Sequence, residues 1–359
     1  MKPRRPGVNR RELLRLRRQD VVSTPPDERA IAQYARSDLL RAHRPAMGSY
    51  FEVRVPAGTP GAVDLACRAL DVIDALEAQL TVYREDSEVS RLNATAHSGP
   101  VEVEQGLFGL LEVAVALSRE TDGAYDVTAG ALSEAWGFVR GPRRVPDEMT
   151  LADARARTGS HHLRLDPDRR TVAFDREGIR INLGSIGKGY AIDRAVDVIR
   201  AHWWPTSALV HGGQSSLYAL GSPPGQFGGR WEIALRNPFE PETPLGTLRL
   251  RDRGLGTSGA TFQQFVVDGR VYGHLIDPRS GEPALGPASV TVLAPTAAMA
   301  DALSTAFYLL GPEAAGAYVA QHPEVGVVIV ERGLSDSAPR LIVLGLTDHD
   351  FAAAENAVR

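Results

Sequence analysis

Apolar and polar positions alternate from Tyr50 to Val55, the period of a half-buried strand. The rhythm then changes. Val63, Ala66, Leu70, Ile73, Leu76 and Leu80 recur at helical spacing and predict a helix over 62–80. Cys67 lies inside it, as core filler and not as a nucleophile. A second helix is predicted from Leu107 to Arg119, ending near Asp122-Gly123. Strand-like runs follow at 162–166, 171–175, 179–183, 207–211, 217–220, 231–235 and 246–251. Further runs stand at 264–268, 271–276 and 289–294, and 326–331 with 340–345 close the set. Helices are predicted at 189–201, 298–310 and 312–321. Strands that succeed one another without an intervening helix favour an α+β layout over a doubly wound one. No internal repeat breaks the body, and the Pro/Gly-rich stretch 221–230 reads as a surface loop.

Charge divides the chain. Of its 359 residues, the first twenty hold eight Lys/Arg against Glu12 and Asp20. The remainder carries 32 basic and 42 acidic residues, a net of -10 behind an overall -4. Residues 1–40, with a break at Pro25-Pro26, read as a basic, poorly ordered arm, and 41–350 as the folded domain. An acidic body argues against nucleic acid as a partner, because duplex affinity rests on Lys/Arg neutralising phosphates. One cysteine excludes an internal disulfide and a Cys-based zinc site, and the scattered histidines fit no zincin spacing. Arg10-Arg11 resembles a twin-arginine export signal, but Leu13 to Arg17 is interrupted by Arg and no apolar run follows. No stretch is long and apolar enough for a transmembrane helix, so the cytoplasm is the default expectation.

Three segments carry candidate chemistry. Asn182-Leu183-Gly184-Ser185-Ile186-Gly187-Lys188-Gly189 stands between a predicted strand and an amphipathic helix. Glycines there let backbone N–H groups approach an anion, the helix start adds partial positive charge, and Lys188 adds a full one. The spacing matches neither a Walker A loop nor the dinucleotide fingerprint, and a purely structural turn remains the alternative. Asp301 and Thr305 lie four apart on one helix face and offer hard oxygens suited to Mg²⁺. Their alternative is a helix-start carboxylate and a hydroxyl bonded back to a carbonyl. His274 precedes the Asp277-Pro278 turn on a strand, as a base, a phosphate ligand or a structural histidine. Thr121 to Asp126 adds a loop with an aromatic and two acids, and Tyr83 could stack on a planar ring or fill the core.

Taken in order, these segments resemble the ApbE family, the FAD:protein FMN transferases. The matching pieces are Met47-Gly48-Ser49, Leu80 to Asn93, Thr121 to Gly130, Ile181 to Asp193, Ala208 to Gly213, Thr257 to Gly259, His274 to Pro283 and Ser289 to Thr305. They span about residues 44–345 and none of the basic arm. The resemblance implies an ApbE-like fold: mostly antiparallel sheets with packed helices, in one large body of two intertwined α+β lobes. It also implies Mg²⁺-dependent cleavage of FAD, with FMN joined through a phosphoester to a Thr or Ser of an acceptor flavoprotein and AMP released. By the same resemblance Ser185, Asp301 and Thr305 would hold Mg²⁺. FAD would contact Met47, Tyr83, Ala124, Tyr125, Asp126, Asn182, Lys188, His274 and Ile276. His274 matches the histidine proposed to deprotonate the acceptor, and Lys188 would assist catalysis.

Some positions depart from the family pattern. Asn182 and Gln214 stand where Asp is usual, and His211 replaces a common Asn or Asp. Asn182 and Gln214 motivate one alternative, an FAD-binding carrier without transferase activity, and a Mg²⁺-dependent FAD pyrophosphatase is another. Ser258 to Thr261 resembles the Ser/Thr-Gly-Ala-Thr core of acceptor proteins, although Leu255 stands where an acid is expected upstream.

Overall fold

The computed structural model describes residues 39–202, 207–226, 228–259, 264–332, 338–355 and 357. The basic arm therefore lies outside the described residues, except for Leu39 and Leu40, which open the first strand. In chain order β1 (Leu39–Ala46) and β2 (Ser49–Pro56) form a hairpin, followed by α1 (Ala62–Leu80) and α2 (Glu88–Thr95). Then come β3 (Val101–Glu102), α3 (Gln105–Glu120), α4 (Gly130–Ala135), α5 (Glu148–Ala156), β4 (Leu163–Asp166) and β5 (Thr171–Phe174). Next are α6 (Gly187–Ala201), β6 (Ala208–Gly212), β7 (Ser216–Leu220), β8 (Trp231–Leu235), β9 (Gly246–Leu250) and β10 (Arg253–Ser258). The hairpin β11 (Gln264–Val267) and β12 (Arg270–Gly273) precedes β13 (Ser289–Ala294) and α7 (Ala297–Gln321). The strands β14 (Gly326–Glu331), β15 (Arg340–Leu344) and β16 (Phe351–Ala353) finish the order.

Eight strands make the main sheet in the order β1-β2-β6-β7-β10-β13-β14-β15, every neighbouring pair antiparallel. The fold is α+β, as the succession of strands predicts. One face of the sheet is covered by α1, α6 and α7 over the largest apolar core. The opposite face turns Leu209, Ala219, Leu255 and Leu293 toward a three-stranded sheet of order β16-β9-β8. A third cluster joins α4 and α5 to the β11–β12 hairpin through Trp136 and Tyr272. In α7, Gly311 takes φ 80° ahead of Pro312, so the two predicted helices meet at a kink.

The helix lies on the sheet because β10 withholds side chains. A Cβ on Gly254 would overlap the backbone of Ala297, and one on Gly256 would overlap Ala300. Those glycines also thin the strand pattern, which is why β10 is not legible in the sequence. The predicted strand 179–183 is instead an extended segment with a single bridge, Arg180 to Ala129. The reason is Asn93. Its side chain donates to the Ile181 carbonyl at 2.9 Å and accepts the Ile181 N–H at 2.7 Å, replacing a ladder partner. The strand predicted over 271–276 ends at Gly273, so His274 sits in a bend just beyond it. Val63 is exposed on α1, where Leu65 and Ala69 complete the buried face instead.

Because Gly256 sets the helix-to-sheet distance, Gly256→Ala is expected to lower unfolding free energy by about 1–3 kcal/mol through overpacking. Urea denaturation of the purified chain checks this, and an unchanged midpoint would refute the close-approach argument.

Candidate active site

The first turn of α6 is locked against the first turn of α7. Gly189 has no Cβ, and one placed there would overlap the carbonyl of Ala297. Asp193, one turn further along α6, accepts the N–H groups of Ala297 at 2.8 Å and Ala298 at 2.9 Å. It thereby supplies acceptors for two of the N–H donors that a helix start leaves unsatisfied. In return α7 sends Asp301 back. One carboxylate oxygen accepts the Gly189 N–H at 2.7 Å, and the other accepts the Ser216 hydroxyl of β7 at 2.6 Å. Burial pushes the Asp301 carboxyl upward from its ordinary range, while Lys188, Ser216 and Gly189 act to hold it down.

This junction forms one wall of a cavity of about 1100 Å³. Every site residue singled out from the sequence lines it. Lys188, Asn182 and Ser185 come from the glycine loop, and Asp301 and Thr305 from α7. Met47, Tyr83 and the Ala124–Asp126 loop form a second wall, and His274 and Ile276 a third. Met47 is held in the left-handed region at φ 50° in the β1–β2 turn, its N–H bonded to Glu77 at 2.7 Å. Tyr83 is 64% exposed, so it belongs to the cavity mouth and not to the core. Asn182 accepts the Gly184 N–H at 2.9 Å and donates its own N–H to Val127 at 2.7 Å, fixing the loop at both ends.

The Ala124–Asp126 loop has an internal organiser. The Asp126 carboxylate accepts from Ser118, from the N–H and hydroxyl of Thr128, and from the N–H and hydroxyl of Ser160, all at 2.6–2.8 Å. It is a scaffold group that reaches the cavity wall. Tyr125 is buried. Burial pushes that phenol upward, with Ser185 acting in the opposite sense.

Hydroxyl groups surround Asp301. Ser258 lies 2.8 Å from the Ser304 hydroxyl and 3.2 Å from that of Thr305. Among the described residues no group of three His, Cys, Asp or Glu could hold a metal. A cation here would depend on one carboxylate, the hydroxyls of Ser185 and Thr305, and oxygens of a bound phosphate, a donor set suited to Mg²⁺. The contacts of Ser216, Ser258 and Ser304 and the capping role of Asp193 emerge only from the fold. No local motif marks Ser216, whereas Ser258, Ser304 and Asp193 fall inside the Thr257 to Gly259, Ser289 to Thr305 and Ile181 to Asp193 segments. Gln214 accepts a hydrogen bond from Arg236 on the rim.

Comparison with known proteins places these features in context. The ApbE family model matches residues 47–329. The FAD:protein FMN transferase of Treponema pallidum is 31% identical over 84% of this chain and 85% of its own length. That of Klebsiella pneumoniae is 30% identical over 80% and 83%. The crystal structure of the ApbE protein from Thermotoga maritima superposes with a TM-score of 0.76 at 28% identity, covering 85% of this chain and 97% of that one. The flavin transferase ApbE from Vibrio cholerae gives a TM-score of 0.74 at 26% identity over 85% and 97%. No helix among the described residues is long and apolar enough to cross a membrane.

The α6–α7 junction carries a pH signature. Burial raises the Asp193 carboxyl to about 6, against the pull of the Ala298 and Ala297 N–H groups. The folded state then binds this proton more tightly than the unfolded chain. The contribution of Asp193 to stability therefore falls as the pH rises from about 4 to its raised value, and stays lost above. Urea midpoints measured across that window should show the wild type losing roughly 2–3 kcal/mol relative to Asp193→Asn. A difference independent of pH would contradict this assignment.

Proposed function

Since the chain belongs to the ApbE family, we propose that it is an FAD:protein FMN transferase that uses Mg²⁺. The observation that carries the reading is the convergence of Lys188, Asp301, Thr305, Ser185 and His274 on one cavity roomy enough for a dinucleotide. We assign the activity to residues 41–350, which contain the whole cavity lining and the family match.

The chemistry follows from the charges. FAD brings a pyrophosphate, and the glycine loop offers it Lys188 and the start of α6. The flavin and adenine ends would lie against Met47, Tyr83, Ala124, Tyr125 and Ile276, which supply apolar and aromatic surface. Asp126 acts in this scheme by holding the Ala124–Tyr125 segment in place, and Asn182 by fixing the glycine loop. The hydroxyl oxygen of an acceptor Ser or Thr attacks the phosphorus of the FMN half, and the bond to the AMP half breaks. His274 takes the hydroxyl proton, a role suited to an imidazole near neutral pH. Lys188 offsets the negative charge that builds on the phosphoryl oxygens. Asp301, Thr305 and Ser185 would hold Mg²⁺, which when bound neutralises the pyrophosphate and favours departure of AMP.

Incubation with FAD, Mg²⁺ and an acceptor domain bearing a Ser/Thr-Gly-Ala-Thr segment is expected to yield AMP and a covalently flavinylated acceptor. His274→Ala should slow transfer by about 10²–10⁴-fold, and Asp301→Ala should remove the Mg²⁺ dependence along with most of the rate. AMP with free FMN in the absence of acceptor would mark a pyrophosphatase instead. FAD binding with no AMP under any condition would mark a carrier.

A further inference from the structure

The cavity does not stop at the α7 face of the main sheet. Thr257 and Ser258 are consecutive on β10, so their side chains point to opposite faces, and both line the cavity. Ser258 meets Ser304 and Thr305 on the helix side, whereas Thr257 pairs with Thr291 at 3.0 Å on the other. The space therefore runs around the end of the sheet into a second arm, floored by Leu217 and Leu255, which join the opposite core. At about 1100 Å³ the whole exceeds the roughly 300–1,000 Å³ usual for a site holding one small ligand.

The roof of that arm is β8, and it presents an edge. Ile233, Ala234, Leu235 and Arg236 are consecutive, and all four line the cavity. A strand seen face-on would contribute every second residue, so a continuous run means that its side is exposed to the space. β8 is the terminal strand of its sheet, paired only with β9 among the described residues. Alternate residues of such a strand turn N–H and C=O groups away from their partner, a template for another extended chain.

We propose that this edge of β8 is the docking site for the acceptor protein, whose segment around the accepting hydroxyl adds to it as an extra strand. The inference rests on the transferase reading, because that reaction requires a polypeptide as second substrate. Main-chain pairing would give affinity with little demand on acceptor sequence, and the leucine floor would take side chains from one face of the added strand. A segment lying there passes the end of the main sheet, where Ser258, Thr305 and Asp301 stand, while FAD enters along the Met47 and Tyr83 wall. The two substrates thus approach the reacting phosphorus from different arms.

The test uses Ala234→Pro, which removes an N–H from the edge, and Ile233→Trp, which fills the arm but leaves all main-chain groups intact. FAD affinity by fluorescence titration reports the integrity of the other arm, and transfer is measured against the acceptor domain used above. The expected result is an acceptor KM raised about tenfold or more in both variants, with FAD affinity and the rate at saturating acceptor nearly unchanged. An unchanged acceptor KM would overturn the proposal. So would a parallel loss of FAD affinity in Ile233→Trp, which would place the flavin in this arm. Absence of any transfer by the wild-type chain would overturn the transferase reading and this inference with it.

Discussion

Three elements meet on the buried carboxylate of Asp301. It accepts from Gly189 at the start of α6 and from Ser216 on β7, while itself belonging to α7. Breaking either bond would leave a buried charged group short of a donor, which costs more than a surface bond is worth. The surrounding glycines answer to the same constraint. Gly189 lets α6 reach the turn that Asp301 requires, and Gly254 with Gly256 lets α7 settle onto β10. The reciprocal bond from Asp193 to Ala297 and Ala298 closes the ring. Lys188, Ser185 and Thr305 owe their positions in the cavity to this junction.

Burial raises the Asp301 carboxyl because its negative charge is poorly solvated, and a nearby cation relieves that cost. Lys188 acts in this sense already. A divalent ion on the same wall would act further, and would bring the pyrophosphate of FAD with it. This resolves an apparent conflict in the composition. The chain beyond residue 20 carries a net -10, yet the proposed substrate is an anion. The helix start, Lys188 and the metal would concentrate positive potential in one low-dielectric spot, where it outweighs distant surface charge that solvent and salt screen.

Legibility in the sequence followed the range of the interactions. Long periodic helices such as α1, α3 and α6 were readable because their burial pattern repeats within a few residues. β1 and β10 were not, since β1 carries polar residues on a half-exposed edge and β10 replaces apolar side chains with glycine. The 179–183 segment carries a strand-like pattern, but its pairing is supplied by Asn93, distant in the chain. The glycine loop, the Asp301–Thr305 pair and the Thr121–Asp126 loop each announced chemistry locally, although each had a bland alternative. Ser216 announced nothing, and Ser258 no more than its place in the Thr257 to Gly259 segment, because a serine in a strand acquires its partners only from what lies across the sheet. Asp126 was legible as a site residue by resemblance. That its carboxylate is spent on Ser118, Thr128 and Ser160 required the fold.

The departures at Asn182 and Gln214 gain a physical reading from their partners. Asn182 uses its side-chain oxygen to accept the Gly184 N–H, a bond that an aspartate in the same place could also make. Gln214 likewise presents an oxygen to Arg236. The acceptor function is preserved at both positions while a negative charge is absent from each. Both side chains line the cavity that would receive a pyrophosphate, so their neutrality lessens repulsion of the substrate without loosening the loops that frame it. The same change leaves Arg236 bonded to an amide on the rim next to β8, where a guanidinium facing a carboxylate would be held more tightly. Loss of charge at these two positions is therefore compatible with an active site, because the groups that must bear charge, Lys188 and Asp301, are retained.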